Sequence, residues 1–68
     1  MNSELMKQVA ENCKKARLEN NMTLRDMSEM SEFSVGAISM VENAQRKLPL
    51  ELAVCYLQIG ADLSAIGL

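Results

Sequence analysis

The sequence has no histidine and no tryptophan, and its 68 residues include a single phenylalanine and a single tyrosine. Histidine is the side chain that most often serves as a general base near neutral pH, so its absence weighs against an enzyme. The chain also has no glycine-rich phosphate loop and no serine in a nucleophile elbow. We therefore expect a protein that is not an enzyme and that carries no cofactor.

Cysteine and long apolar runs are scarce as well. Cys13 and Cys55 are the only cysteines, and two thiols without histidine cannot complete a four-ligand zinc site. Both lie on predicted apolar helix faces, where a thiol behaves as a small buried hydrophobe, so we expect no metal site.

No stretch approaches the roughly 20 apolar residues that span a bilayer, and the first residues lack the order of a signal peptide. The expected location is the cytoplasm, with no membrane segment.

Helix breakers are few, with three glycines and one proline, so helices should dominate. The sequence predicts an all-α fold, a compact bundle of four to five helices that forms a single domain over residues 1–68. Thr23 is expected to cap the second helix, with Asp26 completing an approximate capping box, and Ser34 is expected to cap the third. Two short helices joined by a tight turn at 31–33 predict a helix-turn-helix motif over about 23–42.

The segment MTLRDMSEMSEFSVGAISMVENAQRK, residues 22–47, resembles the helix-turn-helix core of phage repressor and Cro-type (XRE-like) DNA-binding domains. Ile38 and Val41 match the buried positions of the family's recognition helix, and ENAQRK at 42–47 is similar to its Glu-Asn-Gly-basic signature. The resemblance extends over residues 5–66 and implies a lambda-repressor-like DNA-binding domain. Two positions depart from it: Glu32 and Ala44 stand where the family usually has glycine. The alanine predicts that the third helix ends less sharply.

The resemblance also implies a structural ion pair. In this family an arginine of the first helix often bridges to the glutamate that ends the third, and Arg17 and Glu42 occupy those positions. Arg17 lies on the otherwise apolar stripe of the first helix, where an unpaired charge would be costly. We expect the two side chains to pair.

In the family, the exposed face at the start of the third helix enters the major groove. None of the residues on that face is Arg, Lys, Asn or Gln, so bidentate recognition of guanine or adenine is not available. We expect contacts to thymine methyl groups, hydroxyl hydrogen bonds and sequence-dependent DNA shape to supply the specificity. The base-reading residues implied are Ser34, Val35, Gly36, Ala37, Ser39 and Met40.

Phosphate contacts are expected at the start of the second helix, where backbone amides favour anions, and in the basic loop after the third helix. The net charge of −2 and a pI near 4.9 argue for weak, salt-dependent binding, because DNA-binding domains are typically basic. The phosphate-binding residues implied are Thr23, Leu24, Arg25, Asn43, Gln45, Arg46 and Lys47.

The sequence favours a small transcriptional regulator that binds a double-stranded DNA operator as a homodimer, with no small-molecule ligand. The apolar C-terminal residues Leu63, Ile66 and Leu68 are the candidate dimer interface, with return to the core as the other possibility. The alternative function is a protein-interaction module, such as an antirepressor, which uses the uncharged third helix to bind a protein partner and does not bind DNA.

Overall fold

The computed structural model describes residues 3–68, with the side chain of Ser3 left out, and contains helices but no strand within that range. The all-α prediction is confirmed, although the expected fifth helix is only a short 3₁₀ turn. No helix among these residues is long and apolar enough to cross a membrane. The elements are α1 (Ser3–Glu19), α2 (Leu24–Ser31), α3 (Val35–Glu42), α4 (Leu50–Gln58) and the 3₁₀ turn Ser64–Ile66.

The predicted signals around α2 are present. Thr23 Oγ1 accepts a hydrogen bond from the Asp26 amide, and Asp26 Oδ2 accepts one from the Thr23 amide, which completes a capping box. α2 ends at Ser31 and is capped by Glu32, whose φ of 66° is left-handed. The turn spans residues 32–34, one residue later than predicted, and Ser28 Oγ closes it by donating to the Phe33 carbonyl over 2.6 Å.

α3 begins at the predicted cap, where Ser34 Oγ accepts from the Ala37 amide. Its end is sharper than predicted. Ala44 takes a left-handed φ of 59°, its amide donates to the Val41 carbonyl, and the Gln45 amide donates to the Met40 carbonyl over 2.8 Å. This is a complete Schellman motif. The expectation of a gradual end was wrong, because alanine accepts the strained conformation that glycine would take without cost.

One contiguous core joins the four α-helices, each of which contributes members, together with Ala61 and Leu63 from the segment after α4. Leu63 lies in it at 1% exposure, so burial within the protomer removes this residue from the predicted dimer interface. Ile66 and Leu68 stay exposed. The largest fully buried side chains are Tyr56, Met27, Ile38, Leu52, Leu63 and Cys13.

Candidate nucleic-acid interface

α3 has one face in the core and one face in solvent. Ile38 and Val41 are buried and α2 packs alongside. On the opposite face Val35 and Met40 are 38% and 43% exposed. Of the implied base-reading residues, Ser34 and Gly36 are also exposed, whereas Ala37 and Ser39 are half-buried. The structure thus brings these residues to the start and outer side of a single short helix.

The exposed face of α3 offers methyl groups and hydroxyls but no charge. Ser34 Oγ accepts from the Ala37 amide, and Ser39 Oγ accepts from Asn43 Nδ2 over 3.4 Å. A hydroxyl can accept and donate at once, so both serines keep a proton to donate to an acceptor on a base edge. The side chains of Val35 and Met40 offer apolar surface of the kind that contacts a thymine methyl group.

The start of α2 is already occupied by a carboxylate. The Thr23 amide donates to Asp26 Oδ2 over 2.8 Å, so this carboxylate stands where a phosphate would bind the same amide. The Leu24 amide and the exposed side chain of Arg25 are the remaining candidates at this end of α2. The capping box was predictable from the sequence, and it already implied this competition for the Thr23 amide.

The second group of phosphate candidates follows α3 directly. The Schellman turn at Ala44 folds this loop back against the end of the helix, with the Gln45 amide bonded to the Met40 carbonyl. The polar side chains of the loop are exposed, and the loop carries two of the chain's seven basic residues with no carboxylate between residues 43 and 50. The candidates here are Asn43, Gln45, Arg46 and Lys47.

A buried polar network holds the C-terminal end of α3. Arg17 and Glu42 are each only 7% exposed and form a two-pronged ion pair, with Arg17 Nε 2.9 Å from Oε2 and Nη2 3.0 Å from Oε1. The remaining Arg17 nitrogen, Nη1, donates to the Met22 carbonyl over 2.8 Å. These hydrogen bonds to Glu42 raise the pKa of Arg17, outweighing the opposite effect of burial.

Tyr56 also belongs to this network, a role that was not predicted from the sequence. Its hydroxyl donates to Glu42 Oε2 over 2.5 Å, from α4. Burial, and then the bond to Glu42, raise the pKa of Tyr56. The available signal was a lone tyrosine on a buried helix face, because a buried phenol usually needs a hydrogen-bond partner. Glu42 therefore anchors α3 to both α1 and α4.

Comparison with known families agrees with this arrangement. A family model described as helix-turn-helix matches residues 14–54, which is more than half of the chain and includes α2, the turn and α3. The matched range also contains both members of the ion pair. No curated protein and no solved structure matches the chain.

Proposed function

Since the chain belongs to the XRE-type helix-turn-helix family of DNA-binding regulators, we propose that it regulates transcription by binding operator DNA through α3. The observation that carries this proposal is the geometry of α3. Its last residue, Glu42, is anchored from two sides by Arg17 and Tyr56, while the outer face of its first turns is exposed and has no partner within residues 3–68. A short helix that is rigidly held with its N-terminal face free is the geometry that helix-turn-helix proteins use in the major groove.

The outer face of α3 would read methyl groups and groove shape. Val35, Ala37 and Met40 would contact thymine methyls, and Ser34 and Ser39 would donate to base acceptors. Each such contact is worth about 1 kcal/mol, less than the roughly 3 kcal/mol of the best bidentate pairs. Specificity would therefore depend also on DNA shape and on the spacing of half-sites.

Phosphate contacts would come mainly from the loop after α3, with Arg46 and Lys47 as its charged members. Arg25 and the Leu24 amide would add a contact at α2, where Asp26 weakens the anion site at Thr23. Because the whole chain carries a net charge of −2, the affinity would depend on this local concentration of basic residues and would fall steeply with salt.

We also propose that the regulator is a homodimer, that residues 1–68 form its DNA-binding domain, and that it acts in the cytoplasm, where operator DNA lies. Two exposed apolar surfaces support dimerisation: Ile66 and Leu68 at the C-terminal turn, and a stripe on the outer face of α4. The stripe consists of three exposed residues spaced four and three positions apart along the helix, Leu50, Val54 and Leu57. A stable dimer usually buries about 800 Å² per partner, a large share of the 4354 Å² surface of this chain, so we expect a weak dimer.

The second candidate function is a protein-interaction module on the same fold. The observation that favours it is the uncharged outer face of α3, on which Val35 and Met40 are exposed. A partner that buried these two side chains would leave the basic loop unused. The two functions therefore differ in which residues they require.

The experiment that tests the proposal is selection of bound sequences from a random duplex pool, followed by titration at about 50 and about 200 mM salt. We expect an enriched palindrome with T-rich half-sites. Lys47→Ala should weaken binding to all sequences and lower the slope of log K against log salt by about 1. Lys7→Ala removes the same charge from the exposed side of α1 and is the matched control.

The opposite results favour the second function. If the pool is not enriched and no duplex binds at low salt, DNA is not the target. Binding of a protein partner should then be lost in Met40→Glu. It should be retained in the double variant that combines Arg46→Ala with Lys47→Ala.

A further inference from the structure

Gly36 is the second residue of α3, and nothing in the part of the chain that the structure describes accounts for a glycine at this position. Its φ is not positive, unlike that of Gly60 and Gly67, so the backbone does not require glycine. Beyond its chain neighbours and the nearby backbone of α3, a Cβ built at Gly36 meets no heavy atom of residues 3–68 within 4 Å, so the packing does not require glycine either. After proline, glycine is the least favourable residue in a helix. The fold would therefore gain stability from almost any other residue here.

The position of Gly36 suggests where the requirement comes from. It lies between Ser34 and Ala37 on the exposed start of α3, on the face that the proposed function directs at the base edges. Apart from Met40, which follows one turn later, the other residues implied to read bases on that face have short side chains: Ser34, Val35, Ala37 and Ser39. An arginine or glutamine reaches a base from a helix that sits high in the groove, whereas a serine or alanine reaches it only from one that sits deep.

We propose that Gly36 is a specificity-determining residue, whose missing side chain lets α3 dock deeply enough for its short neighbours to contact the bases. This inference rests on the proposed function. An added methyl group would hold the helix away from the base edges, and a gap of only about 0.5–1 Å already removes a quarter to a half of the energy of a van der Waals contact. Val35 and Ala37 would then pack less closely against thymine methyls.

The test uses the full chain, the operator selected from the random pool, and the same operator with uracil in place of thymine, which lacks the methyl groups. The wild-type protein should lose affinity on the uracil operator. Gly36→Ala should bind the thymine operator roughly tenfold more weakly and should lose less affinity than the wild type when thymine is replaced by uracil. Its Tm should rise by about 4 °C, so unfolding cannot explain the loss.

Binding to a random duplex is the internal control, because phosphate contacts alone determine it and Gly36→Ala should leave it unchanged. The inference is overturned if Gly36→Ala binds the operator as tightly as the wild type and keeps the same sensitivity to uracil. A failure of the proposed function is recognised separately, from the wild-type protein alone. If the wild type enriches no sequence, the proposed function is wrong, and this inference is wrong as well.

Discussion

The hydroxyl of Tyr56 donates to Glu42 Oε2 over 2.5 Å, at the same oxygen that accepts from Arg17 Nε. Three helices therefore meet at one buried carboxylate: α1 through Arg17, α3 through Glu42 and α4 through Tyr56. No buried side-chain nitrogen or oxygen among the described residues is left without a hydrogen-bond partner. Complete satisfaction matters because a polar network at low dielectric is costly when any member is unpaired.

Removing the hydroxyl of Tyr56 should therefore destabilise the fold without creating a cavity in the core. Tyr56→Phe deletes one hydrogen bond to a charged group, and we expect a loss of about 1.5–3 kcal/mol in the free energy of unfolding. Denaturant titration measures it. Ser64→Ala is the control, because it deletes a hydroxyl that donates to Asp62 at an exposed site and should change stability by less than about 1 kcal/mol. Equal losses in the two variants would contradict the buried role of Tyr56.

Removing one partner of the ion pair should lower the free energy of unfolding far more than replacing the whole network with apolar side chains. Arg17→Met leaves the carboxylate of Glu42 buried without its cation, and we expect a loss of about 3–5 kcal/mol. The triple variant Arg17→Met, Glu42→Leu, Tyr56→Phe removes every member of the network at once. It should recover most of that stability, because no buried charge remains.

The measurement is the urea midpoint of the single and triple variants at constant m-value. A triple variant at least as unstable as Arg17→Met would show that the network contributes net stability that apolar packing cannot supply. Binding of the triple variant to the selected operator would then report separately whether the anchoring of α3 is needed for DNA contact.

The end of α3 stores a small amount of strain. Ala44 holds a left-handed φ of 59°, which costs a residue with a side chain roughly 1–2 kcal/mol relative to glycine. Ala44→Gly should therefore stabilise the protein by about 1 kcal/mol and raise Tm by about 4–8 °C. The same chemical change at Ala37, in the ordinary helical conformation of α3, should destabilise it by about 1 kcal/mol. If both changes lowered Tm, the left-handed strain would not exist.

Most parts of this structure that the sequence predicted are set by local signals. The Arg17–Glu42 pair, whose members lie 25 residues apart, was instead implied by the family resemblance. The start of α2 and the start of α3 follow from Thr23, Asp26 and Ser34, whose side chains bond to amides only three residues away. These hydrogen bonds form within one turn of helix and need no knowledge of the rest of the chain.

The parts that the sequence did not predict depend on tertiary packing. The partner of Tyr56 lies 14 residues earlier in the chain. For Leu63 the sequence left the core and a dimer interface both open, and the fold of the segment after α4 places it in the core. Ala44 shows a third reason: the loop after α3 is held in a Schellman turn although the residue there is not the usual glycine. Which exposed face contacts DNA or a second copy depends on a partner, and local patterns do not specify it.

Alkaline pH should destabilise the fold through Cys13. Burial, and then the negative charge of Glu42, raise the pKa of the Cys13 thiol from 9.0 to about 12. The unfolded chain therefore releases this proton near pH 9 while the folded chain keeps it. The stabilising contribution is complete below pH 9 and is lost as the pH rises towards 12, by about 1.4 kcal/mol for each unit. Tyr56, whose pKa is also raised by burial, adds to the loss above pH 10.

The free energy of unfolding at pH 8 and at pH 10 tests this prediction. We expect the decrease between the two values to be about 1.4 kcal/mol smaller in Cys13→Ala than in the wild-type protein, whatever the cost of the substitution at pH 8. Cys55→Ala makes the same substitution at a half-buried position of α4 and is the matched control for the change itself. A pH dependence in Cys13→Ala identical to that of the wild type would mean that the thiol ionises equally in the folded and unfolded chains. Neither burial nor the charge of Glu42 would then shift the pKa of Cys13.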